Sequence, residues 1–197
     1  LMMIEHCLMI DPGMTWIKDE DISIDSDTPL DNINVLSPNV VNCDDGVLRM
    51  YYMGFGEEAV NNTKGYILSA TSCDGINWEK DNGVRLDANV THNIDRVLSP
   101  DVVKLDDGNY RMFFEARAEG MPSTIMSAIS SDGIKWEYEN NFRLIDSSSS
   151  YGTPRCIRVY IENTSRYMYR LYFHRFSFPF VSGIDSNNHI LSASSLN

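Results

Sequence analysis

Long apolar runs are missing from this chain. No stretch approaches the ~20 residues that a membrane-spanning helix needs, which predicts a soluble protein. Basic residues are scarce. Sixteen Lys and Arg stand against 28 Asp and Glu, a formal net charge of −12, and such a surface repels both a phosphate backbone and an anionic membrane. Nucleic acid and membrane are therefore excluded as partners. Cysteine is sparse as well: Cys7, Cys43, Cys73 and Cys156 form no Cys-x-x-Cys pair, and the histidines do not cluster. Neither a metal nor another cofactor is expected, and the cysteines read as free thiols. The first ten residues lack the basic start and small-residue cleavage site of a signal peptide, which slightly favours the cytoplasm but leaves the location open, and sequons at Asn61, Asn89 and Asn163 are compatible with secretion. No segment has a convincing long helical period.

What the chain does have is a repeat. Leu98-Ser99-Pro100-Asp101-Val102-Val103, the turn Asp106-Asp107-Gly108 and Arg111-Met112-Phe113-Phe114 recur 62 residues earlier as Leu36-Ser37-Pro38-Asn39-Val40-Val41, Asp44-Asp45-Gly46 and Arg49-Met50-Tyr51-Tyr52. A third copy starts at Thr153-Pro154-Arg155 and reaches Ile190-Leu191-Ser192-Ala193, which matches Ile67 to Ala70 and Ile125 to Ala128. The three tryptophans, Trp16, Trp78 and Trp136, share one repeat position, where each is expected to anchor the core. Short β-favouring runs separated by Asp-Gly turns predict four antiparallel strands per unit. Units of this kind are propeller blades.

The predicted architecture is all-β: a single β-propeller domain over 1–197, with 1–18 as outer strands of a blade, full blades at 36–87 and 98–145, and a partial blade at 152–197. Residues 19–35 read as an acidic connecting loop. Three blades are too few to close a ring. Further blades beyond this stretch are the preferred explanation, and self-association of incomplete rings is the other.

Antiparallel blades sort their loops onto two faces. The Asp-Gly turns share one face, which leaves the start of the first strand and the end of the second for ligands. Positions identical in every unit, such as Arg49, Arg111 and Arg170 or Pro38, Pro100 and Pro154, are expected to be structural. Positions that differ on the ligand face are the candidates for function. After the proline stand Asn39, Asp101 and Arg155; at the end of the second strand stand Met53, Glu115 and His174. Asp95, Arg96, Arg117 and Arg175 flank them. Glu115 has a structural alternative, an interblade salt bridge with Arg117 or another arginine.

The Ser-Pro-Asp-Val-Val run, the following Asp-Asp-Gly-Asn-Tyr-Arg-Met-Phe-Phe, and the Ala-x-Ser-x-Asp-Gly-Ile-x-Trp segments at Ala70–Trp78 and Ala128–Trp136 resemble the five-bladed propeller glycosidases: arabinanases, levansucrases, invertases and other relatives of glycoside hydrolase families 43 and 32. The Asp-Gly turns are also similar to the Asp-box of sialidases, a structural turn away from the active face. The resemblance implies a sugar in the central funnel and two carboxyl groups, one to protonate the leaving oxygen and one to act as nucleophile or base. Family carboxylates often stand just before the proline, where this chain has Ser37, Ser99 and Thr153. Asp101 is the nearest substitute and Glu115 its expected partner, with Asn39, Asp95, Arg96, Arg117, Arg155, His174 and Arg175 as substrate-binding candidates. Two other readings stay open: a sugar-binding propeller without catalysis, and a protein-interaction scaffold.

Overall fold

A computed structural model of the chain describes residues 16, 18–43, 46–56, 65–88, 94–164, 166–179 and 188–195. The proposed outer-strand segment 1–18 falls almost wholly outside them, as do Cys7, Asp44, Asp45 and the sequons at Asn61 and Asn89. The described part consists of strands, turns and short 3-10 segments, among them Glu162–Thr164.

Three antiparallel sheets follow one another along the chain. The first is β1 (Asn34–Asn42), β2 (Leu48–Phe55), β3 (Tyr66–Ser72) and β4 (Glu79–Lys80), paired in chain order. The second repeats it with β5 (Arg96–Lys104), β6 (Tyr110–Arg117), β7 (Thr124–Ser130) and β8 (Glu137–Tyr138). The third holds β9 (Ser149–Ile161), β10 (Arg166–Ser177) and β11 (His189–Ser195), again in order. These are propeller blades, and their first strands β1, β5 and β9 lie side by side.

Nearly the same sequence behaves differently in β1 and β5, and position in the array is the reason. Asn34–Asn42 alternates between exposed and half-buried residues, whereas Val97 to Val102 is buried without interruption. β5 has a blade on each side, so both faces of its pleat are covered. The core follows the blade junctions. Tyr51, Ile67 and Leu86 of the first blade pack on Val97, Met112, Phe114 and Met126 of the second, and Ile125 of the second packs on Cys156, Leu171 and Phe173 of the third. Each large apolar side chain so covered is worth about 1.5–3 kcal/mol.

The Asp132–Trp136 turn of the second blade stitches the first of these junctions. The Trp136 indole N–H donates to Gly133 O at 3.2 Å, as Trp78 does to Gly75 O at 3.2 Å. The Trp136 ring then meets Tyr51 edge-on at 5.6 Å, and the Tyr51 hydroxyl donates to Gly133 O at 2.8 Å. Trp78 and Trp136 are thus anchors as expected, whereas Trp16 is 86% exposed. On the outer side of the first blade, Ile24 and Leu30 of the acidic segment pack on Tyr52 and Leu68. Lys80 Nζ pins that segment through Asp31 at 2.7 Å and Asp27 at 2.6 Å. Cys43, Cys73 and Cys156 are free thiols.

Candidate functional site

The Ser-Pro signature builds a bulge at the same place in all three blades. In β1 the register slips between Leu36 and Asn39, in β5 between Leu98 and Asp101, and in β9 opposite Tyr172 and His174. The residue before each proline, Ser37, Ser99 or Thr153, takes a left-handed φ of 55°, 50° or 49°. Such φ values are uncommon for serine and strained for a β-branched threonine. An extra residue here re-aims the side chains that follow, which is how bulges serve sites near barrel rims and active centres.

Asp101 emerges from the β5 bulge and is 4% exposed. Its Oδ1 accepts from Asn39 Nδ2 at 3.0 Å and its Oδ2 from the Cys156 N–H at 2.6 Å, with Arg155 Nη1 4.0 Å from Oδ1. Burial pushes its carboxyl above the usual range, outweighing the Cys156 bond and the Arg155 charge. Burial and the neighbouring Asp101 also push the Cys156 thiol up to about 12. Asn39 repeats the pattern one blade earlier, its Oδ1 accepting from the Val102 N–H at 3.0 Å. The residue after the proline therefore clasps the next blade, and Asp101 joins all three.

Glu115 emerges at the end of β6 and is 4% exposed. Its Oε1 accepts from Arg117 Nε at 2.6 Å, and its Oε2 from the Thr153 N–H at 3.2 Å. Its room comes from Gly152: a Cβ there would stand 2.8 Å from Glu115 Cδ and nearer still to Oε2. Asp101 and Glu115 thus grip β9 on either side of the Thr153-Pro154 bulge.

Beyond Arg117 opens a cavity of ≈ 630 Å³ between the second and third blades. Arg117, His174 and Arg175 line it together with Ser123, Ser150, Ser177 and Asn188, while Met121, Phe176, Phe178 and Ile190 supply apolar wall. His174 Nδ1 pairs with Thr153 Oγ1 at 3.0 Å, and Arg175 Nε donates to Ser149 Oγ at 3.0 Å. Arg117 also borders a smaller cavity of ≈ 320 Å³ with Asp95 and Arg96. There the Asp95 N–H donates to Arg117 O at 2.8 Å, and Arg96 Nε lies 3.8 Å from Asp95 Oδ1. Glu115, Arg117, His174, Arg175, Asp95 and Arg96 are thereby brought into one neighbourhood. Asn39, Asp101 and Arg155 form a second cluster on the inner strands, and neither Asp101 nor Glu115 lines the larger cavity.

His189 also lines that cavity and is absent from the sequence-derived candidates. It occupies the repeat position of Tyr66 and Thr124, so the comparison of blades that singled out His174 carries its signal too. Gly152 and Thr153 act through backbone geometry, and the repeat pattern marks only their neighbourhood.

The fold recurs in solved structures. The α-L-arabinanase of Penicillium chrysogenum complexed with arabinobiose superposes with a TM-score of 0.59 at 12% identity, over 82% of this chain and 46% of the arabinanase. The endo-arabinase of Bacteroides thetaiotaomicron VPI-5482 gives 0.56 at 15% identity, over 81% of this chain and 56% of that one. The β-fructofuranosidase of Schwanniomyces occidentalis complexed with fructosyl-erythritol gives 0.56 at 14%, over 73% and 31%. The fold is that of the propeller glycosidases. In sequence, two uncharacterized proteins of Mycobacterium tuberculosis, from strains CDC 1551 and H37Rv, are each 37% identical over 108 residues, covering 53% of this chain. The chain spans about a third of the length of these curated relatives, 34%. It spans about half or less of several of the glycosidase structures it matches. No protein-family model matches it.

Proposed function

We propose that these three blades carry the carbohydrate site of a glycoside-hydrolase-like protein. The observation that supports this reading is the cavity beside Glu115: its ≈ 630 Å³ lies within the usual size of small-molecule sites, and it mixes apolar wall with a few anchored polar groups. Glu115 and Asp101 are the carboxyl pair of the proposed hydrolysis. Asp101, whose burial favours its protonated form, suits a proton-holding role, and Glu115, beside Arg117 at the cavity edge, suits the role nearer the sugar. Arg117, His174 and Arg175 are the proposed substrate contacts, with Asp95 and Arg96 at the neighbouring cavity and Asn39 and Arg155 as supports of Asp101.

Release of reducing ends from arabino-, xylo- and fructo-oligosaccharides tests this. Glu115→Gln and Asp101→Asn, each checked for folding by circular dichroism, should lower kcat/KM by about 10²-fold or more; full activity in both overturns the pair. One observation favours binding without turnover. Both oxygens of each carboxyl already accept a hydrogen bond from the protein. Sugar binding with no reducing-end release would decide for that reading.

A further inference from the structure

The cavity between the second and third blades runs against the charge of the whole chain. The protein carries 28 acidic and 16 basic residues, yet among the described residues two arginines and two histidines, and no carboxylate, line this cavity. Random sampling of such a surface would place acids there. Two neighbouring acids are engaged by other groups, Glu115 by Arg117 Nε and the Thr153 N–H, and Asp146 by Ser148 and the Tyr151 hydroxyl, while Asp95 and Glu119 line the adjoining smaller cavity.

The cationic side chains are also anchored in a common way. Arg117 is fixed through Nε by Glu115 Oε1 at 2.6 Å, Arg175 through Nε by Ser149 Oγ at 3.0 Å, and His174 through Nδ1 by Thr153 Oγ1 at 3.0 Å. Among the described residues, the Nη groups of both arginines and Nε2 of His174 have no hydrogen-bond partner. Each side chain is held by one nitrogen and keeps the others as ligand-directed groups. A guanidinium held at Nε still offers its Nη donors in a planar fork that suits a carboxylate or a phosphate, whereas neutral hydroxyls do not need two permanent charges. Ser123, Ser150 and Ser177 add small hydrogen-bonding groups, and Phe176 and Phe178 add flat apolar wall.

Resting on the carbohydrate reading above, we infer that this cavity takes an anionic sugar, with a carboxylate or phosphate substituent held by Arg117, His174 and Arg175. The charge on Arg117 is offset by its 2.6 Å ion pair with Glu115, and that on Arg175 by the more distant Asp146, whose carboxyl pKa it helps Ser148 to lower; the weaker offset leaves Arg175 the larger contribution to anion selectivity.

Calorimetric titration of the full chain at low ionic strength with D-galacturonate, D-galactose, glucose 6-phosphate, glucose and inorganic phosphate tests this. One charged sugar should bind at least tenfold more tightly than its neutral counterpart, and which one does so distinguishes carboxylate from phosphate. Arg175→Gln should abolish that preference and Arg175→Lys should retain most of it, with near-ultraviolet circular dichroism confirming that both variants fold. Equal affinity for charged and neutral sugars, unchanged in Arg175→Gln, overturns the anion site and leaves the carbohydrate reading standing. Binding of inorganic phosphate without binding of any sugar overturns the carbohydrate reading and leaves the anion site. Binding of none of the five overturns both.

Discussion

Asn39 and Asp101, 62 residues apart in the chain, meet through a 3.0 Å hydrogen bond from Asn39 Nδ2 to Asp101 Oδ1. They hold the same position in successive blades, and each accepts from a backbone N–H of the blade that follows, Val102 for Asn39 and Cys156 for Asp101. A position that varies in identity thus keeps one structural task. In Asp101 that task is combined with a buried carboxyl.

Asp101→Ala should therefore destabilise the chain by about 2–3 kcal/mol, because it strands the Cys156 N–H and the Asn39 amide without acceptors. Asp101→Asn should cost less, on the order of 1 kcal/mol, since an amide oxygen can still serve Cys156. The pH dependence has a defined sign. Burial raises the folded-state pKa of Asp101 above its ordinary 3.8, so its contribution relative to a neutral residue is full below that value and is lost as pH rises through the folded pKa. The cost of Asp101→Asn should be larger at pH 4 than at pH 7 in urea titrations, and a cost that grows toward neutral pH would contradict the assignment.

Glu139 illustrates the opposite sign. Burial pushes its carboxyl up, but the Ser127 hydroxyl, Arg111 and Arg143 together bring it below its ordinary 4.5. Arg111 grips it with two 2.9 Å bonds, as Arg49 faces Asp81 at 3.3 Å in the first blade. Glu139→Gln should cost about 1–3 kcal/mol. That cost should be full above pH 4.5 and should shrink as pH falls through the lower, folded-state pKa. Guanidinium midpoints for wild type and variant at pH 3 and pH 7 measure it, and a constant gap would contradict it.

Much of this was legible in the sequence because a repeat compares each position with its own copies. The proline positions, Asp-Gly turns and arginines recur, and the structure makes them bulges, turns and partners for Asp81 and Glu139. Position in the array was not legible: Val35–Val41 and Val97–Val103 read alike, yet only the second is covered on both sides. Trp16 misled as well, since it shares the repeat position of Trp136 yet is 86% exposed. The cavity was half visible. His174 and Arg175 stood out by comparison between blades, whereas the cavity itself arises from how two blades pack, which no single unit encodes.

The strain at the bulge can be measured. Ser37 holds φ at 55°, a conformation that glycine adopts without penalty and other residues at about 1–2 kcal/mol. The extra freedom of glycine in the unfolded chain offsets part of that gain, by about 0.4–1 kcal/mol. Ser37→Gly should accordingly leave stability unchanged or raise it by up to about 1 kcal/mol, while Ser37→Val should lower it by more than 1 kcal/mol. Thermal melts that rank the two the other way would remove strain from the account of the bulge.

Gly152 provides the sharpest test of the Glu115 environment. A methyl there would stand 2.8 Å from Glu115 Cδ and overlap Oε2, so the carboxylate must swing out of its place against the Thr153 N–H. The 3.2 Å bond to Thr153 and the 2.6 Å contact with Arg117 Nε are then strained together. Gly152→Ala should destabilise the chain by about 1–3 kcal/mol, in the range of overpacked sites, and the double variant Gly152→Ala, Glu115→Ala should recover part of that loss because the clashing group is gone. Additive costs in this double-mutant cycle would show that the glycine and the carboxylate are energetically independent. A coupling of 1 kcal/mol or more would show that the absence of one side chain in the third blade is what holds the carboxylate of the second at the edge of the cavity.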